Sequence, residues 1–164
     1  GKKVGIVGLG KIGLRVARLF DAFGCNVLAW NKTPKEIIGV KNVSLKELAE
    51  TSDIVTVHLA LTEQTRGMIG ADFIEGMKPT AVLINTARGP IIDSRTLFKV
   101  LKEHGIAGAA LDVFDIEPIP RYSNLVQFSS HLIATPHIGY LTREALERKA
   151  VATIDNINQF LNIL

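Results

Sequence analysis

Val4-Gly5-Ile6-Val7-Gly8-Leu9-Gly10-Lys11-Ile12-Gly13, near the start of a chain of 164 residues, sets a short apolar run directly against three spaced glycines. Residues 4–7 read as a strand buried on both faces, and the residues from Lys11 to about Ala22 carry a helical pattern. Glycine spacing alone is a weak signal in a chain with 14 glycines. A buried strand before G-x-G-x-x-G and a helix after it supply the context that dinucleotide binding requires. Gly8 permits the tight turn, Gly10 lets the backbone approach a pyrophosphate, and Gly13 lets helix and strand pack closely. The helix start then offers free N–H groups and a partial positive charge to an anion. The alternative is a tight strand-to-helix turn that holds no ligand.

Outward from this turn, apolar runs alternate with helical patterns to the end of the chain. Asn26–Trp30 reads as a second strand and Val43 marks a third. Ser44-Leu45-Lys46-Glu47 has the form of a capping box and should start a short helix. Residues 54–59 and 81–85 read as the fourth and fifth strands. Asp93 can cap a helix running to about Glu103, and residues 106–113 give a sixth strand. Leu132–Ala134 is a seventh, stopped by Pro136. From Thr142 onward, Ala145, Leu146, Ala150, Ile154, Ile157 and Leu161 recur at helical spacing and predict a long amphipathic helix. Short, continuously apolar strands separated by helices predict an α/β fold. It is a doubly wound parallel sheet of the Rossmann type, with about six to seven strands and helices on both faces.

Composition narrows the function classes. The length suits one domain, and 47% hydrophobic with 21% charged residues excludes a disordered chain. The single cysteine, Cys25, excludes a disulfide framework and a multi-cysteine zinc site, and it suits a reducing compartment. The net charge is +3 and no basic run exceeds Lys2-Lys3, which argues against nucleic acid or a membrane surface as partner. No stretch approaches the ~18 apolar residues of a membrane-spanning helix. The expectation is a soluble, cytoplasmic protein.

The second strand should end in an acidic residue that holds the adenosine ribose. Asn31 stands there, 18 residues after Gly13, followed by Lys32. Asn still hydrogen-bonds a hydroxyl without repelling a 2′-phosphate, and Lys32 can attract one. The plain alternative for Lys32 is a solvated surface lysine. These residues are compatible with NADP and leave NAD open.

Several dehydrogenase chemistries are absent. Zinc-dependent catalysis lacks its cysteines, and His58, His104, His131 and His137 have no metal-ligand spacing. A Tyr-x-x-x-Lys pair is also missing, because Val126 follows Tyr122 and Glu144 follows Tyr140 at that distance. Polar residues at the carboxyl ends of strands remain, where open α/β sheets bind ligands. Arg88, in Asn85-Thr86-Ala87-Arg88-Gly89, has a fork of donors that suits a carboxylate and a polarised carbonyl. Glu117 lies beyond the sixth strand and His137 beyond the seventh. A carboxylate beside an imidazole favours its charged form and fixes the ring, which makes a coherent proton donor. Singly, each could be a solvated loop residue. His58 ends an apolar run and reads as packing or a cofactor wall, and His104 and His131 as surface residues.

Together these stretches resemble the nucleotide-binding domain of the D-isomer-specific 2-hydroxyacid dehydrogenases, a family that includes phosphoglycerate dehydrogenases and glyoxylate/hydroxypyruvate reductases. The resemblance runs in order through residues 4–13, 53–62 and 84–89, Ala110-Leu111-Asp112-Val113-Phe114 with Glu117-Pro118, and Thr135-Pro136-His137-Ile138-Gly139. It implies hydride transfer between a nicotinamide cofactor and a D-2-hydroxy or 2-keto acid. In that scheme Arg88 binds substrate, Glu117 tunes the histidine and His137 is the acid/base. It implies cofactor contacts at Gly8, Gly10, Lys11, Ile12, Gly13, Asn31, Lys32, Leu59, Ala60, Thr65, Thr86, Asp112 and Gly139, with Asp112 against the nicotinamide carboxamide. Ala60 departs from the usual proline, and Asn31-Lys32-Thr33 is similar to NADP-preferring members. The resemblance also implies that residues 1–164 are one dinucleotide-binding domain. The substrate domain would come from flanking segments on both sides, and the full-length protein would be a homodimer. A transcriptional co-repressor that senses NAD(H) is the alternative within the same family.

Overall fold

Seven short strands run parallel in the order β3-β2-β1-β4-β5-β6-β7. They are β1 (Lys3–Val7), β2 (Asn26–Trp30), β3 (Val40–Asn42), β4 (Ile54–Val57), β5 (Val82–Asn85), β6 (Gly108–Leu111) and β7 (Leu132–Ala134). The computed structural model that gives this arrangement describes residues 1–120 and 131–161. Among the described residues five helices accompany the sheet: α1 (Lys11–Ala22), α2 (Leu45–Thr51), α3 (Ala71–Glu75), α4 (Ser94–Lys102) and α5 (Arg143–Leu161). The extent of α5 past Leu161 lies outside the described residues. Among these helices none is long and apolar enough to cross a membrane.

The expected strands are all present: β2 and β7 keep their bounds, β1 starts one residue earlier, and β4, β5 and β6 are shorter. β4 stops at Val57, so His58 and Leu59 belong to the loop beyond it, and β6 covers only the middle of the expected 106–113. β3 lies just ahead of Val43, and α3 and a single 3-10 turn at Gly89–Ile91 were not expected. Both are too short to build a periodic apolar signal. Ser44 Oγ accepts the N–H of Glu47 at 3.0 Å, and Asp93 Oδ1 accepts those of Arg95 and Thr96 at 3.1 and 3.4 Å. Both helix starts are thus capped as their sequences predict.

Strand alternation divides the core. Val4 and Ile6 of β1 pack with Ala17 of α1, Val27 and Ala29 on one face. Val7, Val55, Val57 and Leu83 point to the other, against Leu48, Ile74 and Leu97 of α2, α3 and α4. No residue of α5 is buried, and its apolar positions Leu146, Ile154 and Ile157 are open to solvent.

Register then sets where function can sit. Trp30, Val7, Val57, Asn85, Leu111 and Ala134 are successive partners across six strands, so they form one row along the carboxyl edge. The next residue on each strand, Asn31, Gly8, His58, Thr86, Asp112 and Thr135, begins a loop on that edge. Strand order reverses between β1 and β4, which is where such sheets open a crevice.

The turn between β1 and α1 admits no side chain at Gly13. A Cβ there would fall 2.0 Å from the Gly8 carbonyl oxygen. Gly8 itself has φ +101, in the region that favours glycine. Gly13→Ala should therefore cost about 1–3 kcal/mol by overpacking. A thermal melt of the variant beside the parent checks this, and an unchanged midpoint would contradict it.

Candidate functional site

Two loops of the carboxyl edge, those after β6 and β7, meet at one carboxylate. Asp112, the first residue after β6, is 6% exposed. Its Oδ1 accepts Thr135 Oγ1 at 2.5 Å and the Ile138 N–H at 2.9 Å, and its Oδ2 accepts the Gly139 N–H at 2.8 Å. Burial pushes the Asp112 carboxyl up, but the hydrogen bonds from Thr135, Gly139 and Ile138, with the nearby His137, outweigh it and hold it below the ordinary carboxylate value. The segment 135–139 is thereby fixed to the end of β6.

His137 sits inside that segment with φ 54. Among the described residues only His104 shares a left-handed backbone without being glycine. His104 follows the last turn of α4, where that conformation ends a helix. His137 ends no helix, and such a backbone persists where surrounding bonds over-determine it. Its Nδ1 donates to Glu117 Oε2 at 2.7 Å, and Glu117 Oε1 accepts the Phe114 N–H at 2.9 Å. Because an ionised carboxylate only accepts, the proton of the neutral imidazole lies on Nδ1 and Nε2 is left for another partner. The His137 hydrogen bond, then that of Phe114 N–H, holds the Glu117 carboxyl below its ordinary value, with the charges of His137 and Arg88 adding to it. The Tyr140 ring stands edge-on to His137, 5.9 Å between centroids.

Arg88 is brought in from β5 by contacts the sequence reading missed. Asn85 is buried, its Nδ2 donates to Arg88 O at 3.0 Å, and its Oδ1 accepts the Ala87 N–H at 2.9 Å. An Asn at a strand end, bonding two residues on, is the signal that could have marked this turn. Gly89 lies against the backbone of Phe114, where a Cβ would fall 2.1 Å from its carbonyl carbon. Ser94 Oγ at the start of α4 donates to the Asp115 carboxylate. Arg88, Glu117 and His137, far apart in the chain, therefore share one end of the edge.

The glycine turn forms the other end. Gly8 N–H donates to Trp30 O at 2.8 Å, and Leu9 N–H donates to Asn31 Oδ1 at 3.0 Å. Asn31 Nδ2 donates to Thr33 O at 2.7 Å. Lys32 is exposed beside it. His58 packs beneath the turn, with its Nε2 3.0 Å from Thr56 Oγ1, and burial lowers its pKa. Leu59 and Ala60 follow β4 in the crevice, and Thr86 follows β5. Thr65 serves its own turn, donating to Ala60 O at 2.7 Å, and the Gly139 N–H is taken by Asp112.

These residues fit a dinucleotide. Packing within the chain accounts for Gly8 and Gly13, but a Cβ at Gly10 would meet nothing within 4 Å. Glycine at that position leaves space for an approaching ligand. The α1 start also has no side-chain cap and no acidic residue in its first turn, so its N–H groups at Lys11, Ile12 and Gly13 face that space uncovered.

Residues 1–139 match the model of the D-isomer specific 2-hydroxyacid dehydrogenase, NAD binding domain. The chain belongs to this family. It is 42% identical over 164 residues to a glyoxylate reductase of Korarchaeum cryptofilum, covering 98% of this chain and 49% of that protein. Its fold matches D-lactate dehydrogenase from Aquifex aeolicus complexed with NAD and lactic acid, at a TM-score of 0.91 and 31% identity, over 98% of this chain and 54% of that one. An acyclic imino acid reductase in complex with NADPH and D-Arg matches at 0.89 and 33%, over 98% and 51%. As a 2-hydroxyacid dehydrogenase NAD-binding domain, the chain spans about half the length of these relatives. Nothing in these comparisons supports the co-repressor alternative.

Asp112→Asn replaces an acceptor of the Gly139 N–H by a donor or leaves it unpaired, and should cost about 1–3 kcal/mol of stability. The folded-state pKa of Asp112 is lowered, so its contribution is complete above the ordinary value near ~4 and is lost as pH falls through the folded value. Denaturant unfolding at pH 7 and at successive steps below pH 5 should show the parent losing this share on acidification. A parent and variant with parallel pH dependence would contradict the assignment.

Proposed function

We propose that the whole protein is an NADP- or NAD-dependent oxidoreductase that interconverts a small D-2-hydroxy acid and its 2-keto acid. The observation that carries this reading is the His137–Glu117 pair, 2.7 Å apart on the same carboxyl edge as Arg88 and the glycine turn. When bound, the nicotinamide supplies or takes up the hydride. Gly8 shapes the turn, Gly10 leaves the space, and the amides of Lys11, Ile12 and Gly13 would hold the pyrophosphate. Asn31 and Lys32 flank the adenosine end, with Leu59, Ala60, Thr65 and Thr86 along the crevice and Asp112 and Gly139 at the nicotinamide end.

The role of Arg88 follows from its chemistry, and those of Glu117, His137 and Asp112 from their hydrogen bonds. Arg88 Nη1 donates to Ala87 O at 2.6 Å, and the remaining guanidinium donors pair with the substrate carboxylate and polarise the carbonyl. His137 gives a proton from Nε2 to the carbonyl oxygen as it becomes a hydroxyl, and takes it back in the reverse direction. Glu117 is a positioning residue, which fixes the ring through Nδ1 and balances its charge once both nitrogens carry protons. Asp112 holds the segment on which His137 rides. The reading extends to a cytoplasmic homodimer in which further chain supplies the wall opposite this edge, so residues 1–164 alone should bind cofactor and turn over little.

Replacing His137 by Gln in the full-length protein should lower turnover of a 2-keto acid panel by about 10²–10⁴ with cofactor affinity retained. Unchanged turnover would remove His137 from the chemistry. Cofactor choice is read separately, by titrating NADPH and NADH against the fluorescence of the single tryptophan, Trp30. Affinities should be comparable or favour NADPH, and an NADH preference of about a hundredfold or more would overturn the NADP reading. Asn31→Asp keeps the acceptor for Leu9 N–H and adds a charge that repels a 2′-phosphate, so it should shift the ratio toward NADH.

A further inference from the structure

Both peptide groups of Leu9, the residue between the first two motif glycines, are held by side chains of the loop between β2 and β3. Asn31 takes the N–H, and Lys35 Nζ donates to the carbonyl oxygen at 2.8 Å. The backbone of Lys35 is itself fixed, because Asn42 Nδ2 donates to its carbonyl at 2.8 Å. An ammonium has three donors, and one is spent on Leu9. Four lysines elsewhere, Lys41, Lys46, Lys78 and Lys99, lie against carboxylates. No carboxylate pairs with Lys35 among the described residues, so two donors and a full positive charge are left beside the glycine turn.

We infer that Lys35 is the residue that reads the 2′-phosphate of the cofactor. This rests on the NADP reading proposed above and names the group that carries it. The adenosine ribose of a dinucleotide seated on Gly8–Gly13 falls at the end of β2, where Asn31 supplies no negative charge. A 2′-phosphate there is a dianion that needs charged donors. Lys32 is the nearer in sequence, but it makes no hydrogen bond among the described residues and must lose its side-chain freedom on binding. Lys35 is already held at two points, its carbonyl by Asn42 and its ammonium by Leu9. Its cost of ordering is met before the ligand arrives.

The test uses NADPH and NADH titrations of the parent, Lys35→Gln, Lys35→Arg and Lys32→Gln, with a thermal melt of each. Lys35→Gln should weaken NADPH at least tenfold and leave NADH within about threefold, and Lys35→Arg should keep the parent ratio within about threefold. Lys32→Gln should change the ratio less than Lys35→Gln does. Equal weakening of both cofactors would reduce Lys35 to a tie for the turn and overturn the inference, as would no change in either. If Lys35→Gln melts early, the Lys35→Arg ratio and competition by adenosine 2′,5′-bisphosphate against adenosine 5′-phosphate on the parent decide. A parent that binds the bisphosphate no better than the monophosphate overturns the inference. A parent that prefers NADH a hundredfold fails the NADP reading itself. A parent that favours NADPH, with a ratio untouched by Lys35→Gln, fails Lys35 alone.

Discussion

Asp112 joins two strands that share no covalent neighbourhood. It leaves β6 at the sheet edge and accepts three hydrogen bonds from the segment that follows β7. A buried carboxylate that is charged and fully engaged is worth far more than an exposed one, because unpairing it would expose the desolvation cost of its charge. That bond set is what permits His137 its left-handed backbone, a conformation that costs of order 1–3 kcal/mol when nothing compensates it. Remove the carboxylate and the Nδ1 of His137 has no fixed point from which to meet Glu117.

Side-chain bonds and close backbone contacts likewise fix the loops after β5 and β1. Asn85 shapes the turn that carries Arg88, and Gly89 lets that turn touch the Phe114 backbone from which Glu117 departs. At the opposite end, Gly13 packs on Gly8 while Gly10 stays open, so rigid packing and ligand space alternate within six residues. The parallel register aligns both ends. One row from Trp30 to Ala134 starts the loops that carry Gly8, Asn31, Thr86, Asp112 and His137 on the same edge.

Much of this was legible in the sequence. The strand–glycine–helix unit, the seven apolar runs and the Arg, Glu and His at strand ends follow from local pattern, and the fold keeps them all. What escaped was built from contacts without a periodic or motif signature. Asn85, Thr135 and Lys35 each look like ordinary polar loop residues until the partner strand is placed, because their bonding partners lie 2 to 26 residues away through turns and neighbouring strands. At β4 and β6 the sequence pattern outruns the ladder, since Leu59 and Val113 are apolar residues beyond the last paired position. The helical stripe of α5 was legible too, but its periodicity does not say what covers it, and here no residue of it is buried.

The central claim is that one dinucleotide lies along the carboxyl edge, with its adenosine at the Asn31 end and its nicotinamide at the Asp112 and His137 end. Backbone amide NMR during an NADPH titration tests it most directly. The account predicts saturable shifts at residues 8–13, 31–33, 35, 59–60, 86, 112 and 137–139. It predicts none in the groove between α2 and α3, lined by Leu45, Met68 and Phe73. Shifts confined to that groove, or no saturable shift from a folded chain, would contradict it.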